Sequence, residues 1–179
     1  KHGIRPQIWM TLRDPGPGNP SQRVAAAAQS LLPMLEKTRQ LGLKLGLYNH
    51  GGWGGEPENL VAVCRHLREN HQGDHVGIVY NFHHGHGHIA DFSSSLEQMA
   101  PFLLCLNLNG MADPESVRGN TNKILPIGDG KHEQAMVQTI VQQGYSGPIG
   151  ILDHRNDTDS EQALRQNLEG LEKLVRQIN

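Results

Sequence analysis

Histidine is the first chemical signal in this chain: 11 of 179 residues, and not scattered. His83, His84, His86 and His88 fall within one His/Gly stretch, while His50 follows an apolar run and His154 follows another. Amide and acid side chains accompany them: Asn49, Asn81, Asn107, Asn109 and Asp153. Imidazole changes protonation state near neutral pH, so it suits proton transfer. Neutral imidazole also ligates Zn, Fe, Ni, Cu or Mn, with carboxylates assisting. The residues therefore admit two chemistries, acid–base and metal. His84, His86 and His88 alternate and would share one face of an extended segment. Gly85 and Gly87 argue against a fixed strand there.

Other residues carry weaker signals. Trp53, in the string NHGGWGG, reads either as a sugar-stacking platform or as packing at a rim. Lys131 and His132 lie in a strand-to-helix loop, as substrate contacts or as solvated residues. Asp153 and Asp157 flank His154, where either would orient its ring. Gly128-Asp129-Gly130 is a turn friendly to phosphate, or simply a turn. Gly85-His86-Gly87 lacks the third glycine of a dinucleotide fingerprint. No Gly-x-Ser-x-Gly elbow occurs, so Ser/His/Asp hydrolysis has no support.

The elements that must position these residues alternate. Short apolar runs at 7–12, 43–48, 75–82, 102–108 and 148–153, with a weaker one at 123–127, read as strands. Helical patterns cover 21–41, 56–70, 94–99, 133–143 and 159–178. Ser21 is the expected N-cap of the first helix and Gly42 its stop. Pro33 predicts a kink or break within it. Loops are expected at 13–20, 49–55 and 83–88. Alternating strands and helices predict a parallel α/β fold, and its active residues belong at strand C-termini. That is where Asn49, His50, the 83–88 histidines, Asn107, Asn109, Asp153, His154 and Arg155 fall.

Composition removes several classes. Net charge is −2, which argues against a chain-wide nucleic-acid surface. No apolar run approaches the ~20 residues of a membrane helix. Cys64 and Cys105 are expected as buried free thiols, which leaves the compartment unread.

The strings KLGLYNHGG with EPENL, HVGIVYNFHHGH, ILPIGDG and GYSGPIGILDH resemble the xylose isomerase-like TIM-barrel superfamily, often labelled sugar-phosphate isomerases/epimerases. The resemblance runs from Gln7 to Ile178. It implies a single domain over 1–179 of the (β/α) TIM-barrel type, incomplete, holding about strands three to eight. A complete barrel takes ~250 residues. The resemblance therefore leaves open sheet edges, covered by an N-terminal barrel segment or by self-association.

It also implies a divalent metal (Zn, Mn, Fe or Co), held in the family by Glu, Asp, His and Glu at four strand ends. Here those positions depart. Glu-Asn-His becomes Tyr48-Asn49-His50, and Asp-x-x-His becomes Asn81-Phe82-His83-His84. The strand-six His falls on Asn107, and the last Glu falls near Leu152 or Asp153. Either the metal shifts to His50, His84 and His154, with Asn81 or Asn109 assisting, or histidines act directly as acid and base. His84 and His154 are the expected catalytic residues. Asn49, Trp53, Asn107, Asn109, Lys131 and Arg155 are the expected contacts to a small-molecule carbohydrate. The implied activity is isomerase, epimerase or lyase chemistry next to a sugar carbonyl, including elimination from 3-keto-glycosides. The alternative is a non-catalytic sugar- or metal-binding module; a His-rich metal store is a third, weaker reading.

Overall fold

The computed structural model describes residues 2–117, 123–155 and 157–178. The chain falls into two compact units, Lys1–Tyr80 with Gln98–Leu104, and Asn81–Glu97 with Cys105–Asn179.

In the first unit, β1 (Gln7–Thr11), β2 (Lys44–Tyr48) and β3 (Val76–Asn81) run parallel. Gln7 stands opposite Lys44 and Thr11 opposite Tyr48; Leu45 stands opposite Val76 and Tyr48 opposite Val79. β3 is buried along its whole length, so its residues are apolar without alternation. Two helices supply the connections. The 22-residue α1 (Pro20–Leu41) buries Ala27, Ala28, Leu31 and Leu35, and α2 (Pro57–His71) buries Leu60, Val61, Val63, Cys64 and Leu67.

The start of α1 corrects one expectation. Its cap is Asn19, not Ser21: Asn19 Oδ1 accepts the Gln22 amide at 3.0 Å, and Gln22 Oε1 accepts the Asn19 amide at 3.0 Å. This is a reciprocal capping box. Gly42 ends the helix in the left-handed region, as its position predicts. Pro33 does not break the helix.

β4 (Leu103–Leu108), which enters the second unit at Cys105, is parallel to β7 (Ile149–Ile151) over Leu106–Leu108. The helices are α3 (Phe92–Met99), α4 (Glu133–Gln142) and α5 (Ser160–Ile178). The weak strand expected at 123–127 shrinks to β6 (Ile124–Leu125) and is not parallel. It pairs antiparallel with β5 (Gly110–Met111). Gly110 permits this, because a Cβ there would lie 2.1 Å from the Pro126 carbonyl oxygen. The 83–88 segment is not extended either. Phe82–His88 forms a 3₁₀ turn. With three residues per turn, His84, His86 and His88 do not share a face.

Both cysteines are free and buried, and burial pushes the Cys64 thiol up to about 12. No helix among the described residues is long and apolar enough to cross a membrane.

Candidate functional site

The sharpest cluster lies in the second unit, after β3 and β7. Asn81 caps the 3₁₀ turn through its side chain, which accepts the His83 amide at 2.9 Å. That bond presents two consecutive imidazoles. The His83 ring centre lies 4.5 Å from that of His84 and 5.8 Å from that of His154, both edge-on. The His83 Nδ1 is buried with no hydrogen-bond partner. Burial first, then the nearby Lys123 charge and the neighbouring histidines, lower the His83 pKa to about 4. His83 is therefore a neutral imidazole at neutral pH. Lys123 is itself partly desolvated, which lowers its pKa.

The remaining expected residues are mostly engaged. Asp153 does not orient His154; it faces Arg155, with Nη2–Oδ2 2.7 Å and Nε 3.1 Å from both oxygens. Asn167, buried in α5, adds a 2.8 Å bond to Asp153 Oδ2. Burial raises the Asp153 pKa, but Arg155 and Asn167 outweigh it and hold the carboxyl below its usual range. Arg155 also reaches Gln166 Oε1 at 3.1 Å, so it braces the end of β7. Lys131 is exposed and pairs with Asp113. Asn107 is buried over Gly150, where a Cβ would lie 2.2 Å from its Oδ1. Asn109 donates to the Gly110 carbonyl at 2.8 Å, and its Oδ1 is buried without a partner.

In the first unit, Asn49 is buried and His50 exposed, its ring 5.9 Å from that of Tyr48. Trp53 has the Arg23 guanidinium 5.1 Å from its ring centre. That cation covers a face which a stacked sugar would need.

Among the described residues, no three His, Cys, Asp or Glu side chains are grouped to hold an ion. The Gly128-Asp129-Gly130 turn is spoken for. The amides of Gly128 (3.0 Å) and Gly130 (2.6 Å) donate to Glu133 Oε1, and the Met111 amide donates to Oε2 at 2.9 Å. A buried carboxylate occupies the place where a phosphate would sit.

Three participants escaped the sequence reading as functional residues: His83, Lys123 and Glu133. Glu133 alone had a usable signal, an acid three residues after Gly130 at a helix start.

No curated protein sequence matches the chain. Among solved structures, a D-tagatose 3-epimerase-like protein is similar at 17% identity and TM-score 0.69, covering 97% of this chain and 63% of its own. The IolI protein with a zinc atom is similar at 13% identity and TM-score 0.74, covering 99% and 65%. The 3-keto-D-glucoside 4-epimerase of E. coli is similar at 19% identity and TM-score 0.61, covering 88% and 56%. The chain thus spans less than two thirds of these proteins' lengths. The family model described as xylose isomerase-like TIM barrel matches residues 3–174. The chain is a parallel α/β protein that belongs to the xylose isomerase-like TIM-barrel family, as a partial barrel.

Proposed function

We propose that this chain is a sugar-modifying enzyme, an isomerase, epimerase or lyase that removes the proton beside a sugar carbonyl. The observation that carries this reading is the three-imidazole cluster of His83, His84 and His154. The similarity to a 3-keto-D-glucoside 4-epimerase and a D-tagatose 3-epimerase-like protein supports keto-sugars as the substrate class.

The three imidazoles do not share one role. An efficient general base has a pKa near the working pH. His83, near 4, is too weak. It stays neutral, and the proton moves on His84 or His154 beside it. Charge then develops on the carbonyl oxygen. Lys123, close enough to depress His83 and His86, is the cation suited to stabilise that oxyanion. The unpartnered Asn109 Oδ1 suits a sugar hydroxyl. With a 3-keto-glycoside the same step is an elimination. The C2–H bond breaks, its electrons form C1=C2, and the C1–O bond to the aglycone breaks. The departing oxygen takes its proton from the imidazolium.

The divalent metal implied by the family does not fit these residues. Tyr48, Asn81 and Asn107 stand where anionic or imidazole ligands would. Asp153 is committed to Arg155 and Asn167. Lys123 already places a positive charge beside His83, which opposes a second cation.

The same departures favour a second reading, a sugar-binding module without turnover. Proton exchange at C2 of a 3-keto-glucoside in deuterated water separates the two. Exchange that falls at least about a hundredfold in His84→Ala or His154→Ala, with the fold retained, supports catalysis. Tight sugar binding without exchange in the folded wild type supports the module.

A further inference from the structure

Helix α5 carries a second apolar stripe that the described residues leave open. Its inward face is set by buried Ala163, Asn167 and Leu174, with Gly170 between them. Asn167 Oδ1 accepts the Ile127 amide at 2.9 Å, and a Cβ at Gly170 would lie 1.6 Å from the Ile127 carbonyl oxygen. Beside that face stand Leu164 (52% exposed), Leu168 (45%) and Val175 (38%), with half-buried Leu171 in the same row. Single exposed apolar residues are ordinary. These four recur at steps of four, three and four, which is the spacing of a helix-pairing seam.

Charges on one flank of the seam identify what covers it. Along α5 they are Glu161, Arg165, Glu172 and Arg176, all largely exposed. At about 3.6 residues per turn they fall on the side of the seam away from Asn167 and Leu174. Glu169 and Lys173 lie further round the helix. Within the chain, Arg165 pairs with Glu161 at 2.7 Å and Arg176 with Glu172 at 3.2 Å. The four signs therefore alternate: minus, plus, minus, plus.

That row complements itself in one direction. Antiparallel to a second copy, with the crossing between Leu168 and Leu171, Leu164 meets Val175 and Leu168 meets Leu171. The same register sets Glu161 opposite Arg176 and Arg165 opposite Glu172, each pair occurring twice. A two-fold axis across the helices brings the charged flanks to the same side, as a self-complementary contact requires. A parallel pair would instead set each charge level with its like, which is unfavourable.

We infer that two copies of this chain associate through α5, antiparallel and related by a two-fold axis, with Leu164, Leu168, Leu171 and Val175 at the seam. A single helix pair is a small contact, so the dimer is concentration-dependent rather than obligate. The inference is independent of the proposed sugar chemistry, since it uses no residue of the histidine cluster.

The test is sedimentation equilibrium of the 179-residue chain over a rising concentration series at low salt. One monomer–dimer step that stops at two chains is expected. Leu168→Glu puts a carboxylate on the seam of both copies and should weaken the dimer at least about a hundredfold. Val175→Glu, at the far end of the seam, serves if Leu168→Glu fails to fold. Arg165→Glu faces Glu172 with a like charge and should weaken the dimer about tenfold. Adding Glu172→Arg should restore most of that loss. A folded wild type that stays monomeric would overturn the inference and leave the stripe to a different protein segment. Assembly that continues past two chains, or a dimer unaffected by a folded seam variant, would also overturn it. So would a charge-swapped double variant no tighter than Arg165→Glu alone, because the antiparallel register requires the restoration.

Discussion

His83 couples folding to pH. Its pKa falls from 6.5 to about 4 in the folded chain, mainly through desolvation and then through Lys123. Between those values the unfolded chain binds a proton that the native chain does not, so stability rises with pH across that window. Stability is therefore highest above about pH 6.5 and declines as pH drops toward 4. His86, shifted in the same direction by burial and by Lys123, adds to the slope. His83→Gln keeps a polar side chain without a titrating group. It should flatten the decline in Tm between pH 7 and 5, and an unchanged slope would show that other groups carry it. Much of this site was legible at the residue scale, because histidines and amides gathered where strands were expected to end. The roles were not. His84 and His154 were singled out; His83, packed between them, was not, since ring-to-ring placement across 71 residues has no local signature. Arg155 was read as a substrate contact, yet Asp153, two residues away, holds it.

At the scale of elements, the alternation of apolar runs and helical periodicity located every long element, with ends displaced by a residue or two. Failures came where long-range pairing or local chemistry overrode pattern. The two-residue strand β5 has no periodicity to detect, and β6 is defined only by pairing with it. The loop expected at 83–88 is a 3₁₀ turn over Phe82–His88, whose first amides Asn81 caps, and pattern alone does not specify that turn. Pro33 was expected to kink or break α1, whereas the helix continues past it. Its ring still removes the amide that would bond to the Gln29 carbonyl, and it sits on the exposed side of α1. Restoring that bond is worth at most about 3 kcal/mol. The added freedom of the unfolded chain subtracts up to about 1 kcal/mol. Pro33→Ala should then stabilise the chain by roughly 1–2 kcal/mol, read as a higher urea midpoint at unchanged m-value. A lower midpoint would mean that Pro33 supports α1 in a way propensity does not capture.

For the molecule as a whole, family membership and ligand chemistry pull in different directions. The family model spans residues 3–174, and a zinc-containing protein is among the structural neighbours. The chain's own charge distribution does not follow. A divalent ion is held by deprotonated, geometrically convergent ligands, and its affinity falls as carboxylates are replaced by amides. Here Asn81 and Asn107 are neutral, Asp153 is spent on Arg155, and Lys123 stands beside His83. Histidines alone could compensate if three aimed their nitrogens at one point, but among the described residues no group of three His, Cys, Asp or Glu is placed to hold an ion, although the His83, His84 and His154 rings lie close together. The expected outcome is metal content well below one equivalent per chain, measured by elemental analysis on untagged protein purified without chelator. C2 proton exchange should then persist unchanged after dialysis against chelator. One bound equivalent that disappears in His50→Ala or His154→Ala, together with chelator-sensitive exchange, would reverse the argument. It would place a shifted metal centre where the imidazoles now carry the proposed chemistry.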